Sequence, residues 1–133
     1  MDNFPKYIFI LIILIITTTV AEGNVKSITI PGVSSRGEGV VSTVELRIVP
    51  GDGRVFSTVK PISGAYTQQS LETAVDVACH LAGVNRKRYD FLFTFISDSY
   101  IIDGPSAGAA LTLLTYATLT DKDMVSAHQA RNY

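Results

Sequence analysis

Asp103-Gly104-Pro105-Ser106-Ala107-Gly108 separates an apolar run from a stretch rich in alanine and leucine. Upstream, residues 91–96 read FLFTFI, and Tyr100-Ile101-Ile102 continues the apolar character after Ser97-Asp98-Ser99. So little polar content predicts a strand buried on both faces. Downstream, residues 106–119 predict a helix. The hexapeptide is therefore a strand-to-helix junction, and it sets an α/β (α+β) reading. Gly104 permits a sharp turn, and Pro105 fixes the helix entry. Ser106 falls in the first helical turn, where backbone N–H groups lack intrahelical partners. Those groups and the helix dipole suit a developing oxyanion. Ala107, Gly108, Ala109 and Ala110 are small enough to let the helix pack closely on a sheet. A serine at the carboxyl end of a strand also stands where open α/β sheets bind ligands. The plain structural alternative is that Ser106 is a helix N-cap.

Working outward, residues 68–81 carry a second helical pattern. Leu71, Ala74, Val75, Ala78 and Leu81 recur at helical spacing, and Gly83 follows as a stop. Before it, residues 40–49 alternate, with Val44, Leu46 and Ile48 on one face and Glu45 and Arg47 on the other. Pro50-Gly51-Asp52-Gly53 is a turn signal, and residues 54–60 read as a returning strand, so the two predict a hairpin. Residues 25–30 form a short strand stopped by Pro31-Gly32, and residues 34–39 a loop. The basic Asn85-Arg86-Lys87-Arg88 reads as a solvated loop. The expected architecture is a hairpin-led mixed sheet with packed helices.

The chain has 133 residues, 47% hydrophobic and only 17% charged, which excludes a disordered polymer. Eleven basic and twelve acidic side chains give a net charge of -1, so nucleic acid has no electrostatic footprint here. No phosphate-loop GxxxxGK[ST] occurs, and no ATP site is expected. The single cysteine, Cys79, excludes an internal disulfide and multi-cysteine metal sites. No cofactor or metal is expected, and Cys79 reads as a small core residue.

Residues 7–20 read YIFILIILIITTTV without a charge, behind Lys6 and ahead of Ala21 and Gly23. A cationic flank, an apolar run and a small-residue exit describe a secretory signal. Fourteen residues fall short of the roughly 20 of a membrane span. Residues 1–23 are thus expected to be a signal peptide or N-terminal membrane anchor. The protein would then be exported or held at the membrane through residues 7–20, with its domain outside the cytoplasm. Residues 24–120 form the domain and 121–133 a polar tail.

The string DGPSAG resembles the nucleophile motif of the Lon-type serine peptidases, which use a Ser–Lys dyad. Residues 37–60 look like the opening hairpin of that proteolytic domain. Thr67-Gln68-Gln69-Ser70-Leu71-Glu72-Thr73-Ala74, with a helix and strand before the serine, is similar in order. The resemblance spans residues 25–119 and is nearest to archaeal exported or membrane-associated Lon-like proteins without an ATPase module. It implies a Lon-like fold and ATP-independent endopeptidase activity on peptide or protein substrates. Ser106 takes the nucleophile position, and Asp103 that of an acid orienting groups beside it. The subunit number is left open, a homo-oligomer included.

A serine hydroxyl needs a base. The resemblance puts it on a neutral lysine past a further strand, and residues 107–133 hold no matching position. The expectation is a chain truncated before its catalytic lysine, with the C-terminal part of the domain missing. The alternative is an inactive, degenerate Lon-like domain with at most a binding role. Lys122 lies past the far end of the helix from Ser106, about 20 Å away at 1.5 Å per residue. Lys87 precedes the strand leading toward Ser106, and Lys60 has no assigned place. His80 and His128 raise a Ser-His-Asp arrangement. A weaker reading lets residues 104–108 cradle an anion at the helix N-terminus.

Overall fold

A computed structural model describes residues 24–33, 37–58, 60–99 and 101–122. The apolar run 7–20, the loop residues 34–36, Val59, Tyr100 and the tail from residue 123, His128 included, lie outside the described residues.

The described chain is mixed α/β. Strands β1 (Val25–Val33), β2 (Gly39–Pro50), β3 (Val55–Ser57) and β4 (Ile62–Ser63) precede helix α1 (Ala65–Ala82). A short 3-10 helix (Arg86–Arg88) leads into β5 (Tyr89–Ile96), β6 (Ile101–Ile102) and helix α2 (Gly108–Thr120). The main sheet has the order β1-β2-β5-β3, and β4 and β6 form a second, two-stranded parallel sheet.

The expected hairpin of β2 with β3 does not form. β5 lies between them, antiparallel to β2 and parallel to β3. The hairpin partner of β2 is β1, paired from Val25↔Arg47 to Val33↔Gly39. The reason lies at the start of β5. Asp90 Oδ1 accepts the N–H groups of Asp52 and Arg54, each at 2.9 Å. Gly51 N–H donates to Arg88 O and Gly53 N–H to Tyr89 O. The PGDG turn therefore wraps around β5 instead of closing on itself. Gly51 is needed there because any Cβ would overlap the Asp90 carboxyl.

β1 also runs through Pro31 and Gly32 rather than stopping before them. It is an edge strand, where a residue without an N–H is tolerated.

Alternation on β2 is as expected, with Val44 and Leu46 fully buried and Arg47 exposed. β5 departs from expectation, because only one of its faces is covered. Phe91, Phe93 and Phe95 are buried, while Leu92 is 37% and Ile96 52% exposed. Both helices pack on the phenylalanine side, where Leu71, Val75, Leu111 and Leu114 complete the core. Each such large side chain contributes about 1.5–3 kcal/mol by burial.

Helix α1 buries Leu71, Ala74, Val75 and Ala78 as predicted, but Leu81, in the last turn beyond the reach of the sheet, is 63% exposed. The helix ends at Gly83, which adopts the left-handed conformation at φ 66°. Cys79 is a core residue, 3% exposed. Asn85, Lys87 and Arg88 of the basic segment are exposed, as expected, but residues 86–88 form a 3-10 turn and Arg86 is drawn into contacts. Arg86 binds Asp76 at 2.6 Å and Glu72 at 2.5 Å, and its Nε donates to Gly53 O at 2.9 Å.

Helix α2 is apolar nearly all round and packs chiefly against α1. Its buried Thr115 and Thr118 satisfy their hydroxyls on the carbonyls of Leu111 and Leu114, at 2.8 Å. Ala107 and Ala110 pack on the core. Ala109 is exposed, and nothing lies within 4 Å of a Cβ built on Gly108, so these two small residues are not packing devices. Among the described residues no helix is long and apolar enough to cross a membrane.

Candidate active site

The junction between β6 and α2 is built on helix α1. The first turn of α1 has bare N–H groups, and its N-cap, Gly64, has no side chain to satisfy them. Asp103 supplies the missing acceptor from elsewhere in the chain. Its Oδ1 accepts the Thr67 N–H at 3.1 Å. The Ile102 carbonyl accepts Gly64 N–H at 2.9 Å and the Thr67 hydroxyl at 3.3 Å. A carboxylate at a helix N-terminus is also favoured by the helix dipole. This cap explains why α1 starts at Ala65, ahead of the periodic residues.

Beyond Asp103 the chain turns at Gly104, whose φ of 148° disfavours any side chain. Pro105, Ser106 and Ala107 form a turn, closed by Gly108 N–H donating to Pro105 O at 3.1 Å. The helix proper begins at Gly108 rather than at Ser106. Its N-cap is Ala107, which makes no side-chain cap bond. Ser106 is thus not an N-cap. Its side chain is exposed and makes no hydrogen bond among the described residues. Gly108 N–H, engaged by Pro105, is not free to face an oxyanion.

The charged candidates fall elsewhere. Lys60 and Pro61 line a cavity with Phe95, Ile96 and residues 97–99. β4 and β6 are parallel, with Ile62 beside Ile101. Lys60 therefore stands level with the start of β6, while Ser106 lies past its end. Lys87 sits beside Gly53, at the start of β5. Lys122 follows the far end of α2, where its Nζ lies 3.3 Å from the Tyr116 hydroxyl. Lys26 pairs with Asp121 at 3.4 Å. His80 is exposed near the C-terminal end of α1, remote from the end that meets Asp103. Among the described residues no lysine or histidine is bonded to Ser106, and no group of three His, Cys, Asp or Glu side chains is placed to hold a metal.

Two features escaped the sequence reading. Thr67 and Gly64 hold the serine junction, and Asp90 organises the opposite end of the sheet. Asp90 also binds Arg54 Nη2 at 3.1 Å. The Arg54 and Asp52 N–H groups hold its carboxyl below the ordinary aspartate range, with the Arg54 charge adding to them. The available signal was the same in both places: an aspartate bordering an apolar strand, with a distant glycine beside a turn or helix start.

A comparison with protein-family models finds no matching family, and a search of curated proteins finds no matching relative.

Proposed function

We propose that this chain carries a serine endopeptidase site of the Lon type, with Ser106 as the nucleophile. The observation that carries this reading is the Ser106 hydroxyl itself. It is exposed, spared from capping α2, and presented just past the carboxyl end of β6 on a turn fixed by Asp103 and Gly104. The resemblance of DGPSAG to the Lon nucleophile string supplies the chemistry.

In that chemistry Ser106 Oγ adds to a peptide carbonyl carbon while its proton passes to a neutral lysine amine. The oxyanion is met by backbone N–H groups, of which Ser106 and Ala107 carry candidates. Collapse breaks the C–N bond, and the departing amine takes the proton. Water then hydrolyses the acyl-serine. The lysine belongs to the family pattern and has no counterpart among the described residues. ATP takes no part. The substrate is a peptide or protein. Residues 7–20 would direct export or tether the domain to a membrane.

Labelling with a serine-reactive fluorophosphonate tests the assignment. Wild-type protein should label and Ser106→Ala should not. Labelling that persists in Ser106→Ala removes Ser106 from the role.

One observation favours a second reading. Among the described residues no lysine or histidine engages Ser106, which suits a degenerate Lon-like domain that binds peptides without cleaving them. Peptide binding in the absence of both labelling and turnover would establish that reading.

A further inference from the structure

We infer that Gly64 and Thr67 are positioning residues for the Ser106 turn, acting through Ile102 and Asp103. The inference rests on the serine-peptidase reading for its consequence, but its geometry stands apart from it. Three hydrogen bonds join the start of α1 to the residues just before the turn. They are Gly64 N–H to Ile102 O at 2.9 Å, Thr67 Oγ1 to Ile102 O at 3.3 Å, and Thr67 N–H to Asp103 Oδ1 at 3.1 Å.

Gly64 has an ordinary extended backbone, φ -69° and ψ 171°, so its identity is not a matter of conformation. The requirement is steric. A Cβ on Gly64 would sit on the Asp103 carboxyl group, closer than any non-bonded contact. Position 64 must be empty for the carboxylate to reach the helix. Thr67 is 3% exposed, while Asp103, which it engages, stands at the surface, so the two bonds are partly shielded from water. From Asp103 the chain reaches Ser106 through Gly104 and Pro105, with Gly104 in a conformation that only glycine adopts readily. The direction in which Ser106 leaves the sheet is therefore set where Asp103 is clamped. A displacement of about 1 Å at a reacting atom is enough to lower a rate by about 100-fold.

The test uses the full chain and three variants. Gly64→Ala displaces the carboxylate. Thr67→Val removes the hydroxyl but keeps shape and N–H, and Thr67→Ser restores the hydroxyl. The first readout is fluorophosphonate inactivation, resolved into reagent affinity and maximal rate. Gly64→Ala should lower the maximal rate on the order of 10- to 100-fold, with affinity held within about twofold. Thr67→Val should lower it less, and Thr67→Ser should recover it. The second readout is the set of backbone amide chemical shifts at Gly104, Ser106 and Ala107. These should move in Gly64→Ala and Thr67→Val and return in Thr67→Ser.

A folded Gly64→Ala or Thr67→Val with unchanged shifts at the turn overturns the inference, whatever the labelling. Should Gly64→Ala fail to fold, the two Thr67 variants decide. A wild-type protein that never labels defeats the peptidase reading alone, and the chemical shifts still decide the positioning.

Discussion

Asp103 caps a helix to which it does not belong, accepting the N–H of Thr67, 36 residues earlier, at 3.1 Å. The partner glycine makes this approach possible. With Gly64 at the N-cap, α1 has no side-chain cap of its own, and the space a Cβ would fill holds the Asp103 carboxylate. One residue thus finishes a helix and anchors the turn that presents Ser106.

Removing this cap should destabilise the fold by the amount typical of a lost N-cap. Asp103→Ala is expected to lose about 0.5–2 kcal/mol, and Asp103→Asn, which keeps an acceptor, less. Urea unfolding of the three proteins measures the difference. Equal midpoints would contradict the cap.

The second aspartate makes stability depend on acid. The folded-state pKa of Asp90 lies below its ordinary value because the Arg54 and Asp52 N–H groups, with the Arg54 charge, favour the carboxylate. A depressed carboxyl pKa contributes stability that is complete above the unfolded value of about 3.9. That contribution is lost as pH falls through the folded value. Wild type should therefore exceed Asp90→Asn in stability near neutrality. The gap should narrow as pH drops below about 4. Thermal midpoints across the acid range test this, and a gap that does not change with pH would refute it. Gly51→Ala should also destabilise at every pH, by forcing the carboxylate away.

The two faces of β5 should respond very differently to truncation. Phe93 is 2% exposed and packs in the core. Phe93→Ala should lose about 3–5 kcal/mol. Its neighbour Leu92 is 37% exposed on the open face, and Leu92→Ala should stay within about 1 kcal/mol of wild type. Denaturant unfolding of the pair measures the contrast. Similar losses would show that the outer face is covered.

Cys79 should be silent in the native state. Burial pushes its thiol upward, and the lowering by Arg86 and raising by Asp76 are smaller influences. A thiol-reactive aromatic disulfide at neutral pH should modify it at the rate of unfolding and reach one equivalent in denaturant. Rapid native modification would place Cys79 outside the core.

Much of this molecule was legible in its sequence, and the legible parts share a character. Helix α1 and its Gly83 stop, the alternation of β2, and the strand–turn–helix around Ser106 are periodicities and turn signals between near neighbours. Burial of Cys79 followed from its place in such a pattern. The misread parts required knowing which residues meet across the chain. PGDG resembles a hairpin turn, but Asp90 draws Asp52 and Arg54 around the start of β5, so β2 and β3 end on opposite sides of it. FLFTFI has large apolar residues on both faces, with Thr94 the one polar side chain, and the placement of α1 and α2 on the phenylalanine side leaves Leu92 and Ile96 uncovered. Asp103 reads only as the first residue of a strand-to-helix junction, and its bond to Thr67 is invisible without the contact of β6 with β4.

By itself, then, the sequence determined the presence and order of the two helices and the longer strands, though not their ends, and that a serine follows one strand. Side-chain period and glycine or proline conformation are properties of adjacent residues. The tertiary structure alone decided strand order, the buried face of the sheet and the clamp beneath the serine turn. Each of these depends on a carboxylate or an apolar face finding its partner dozens of residues away.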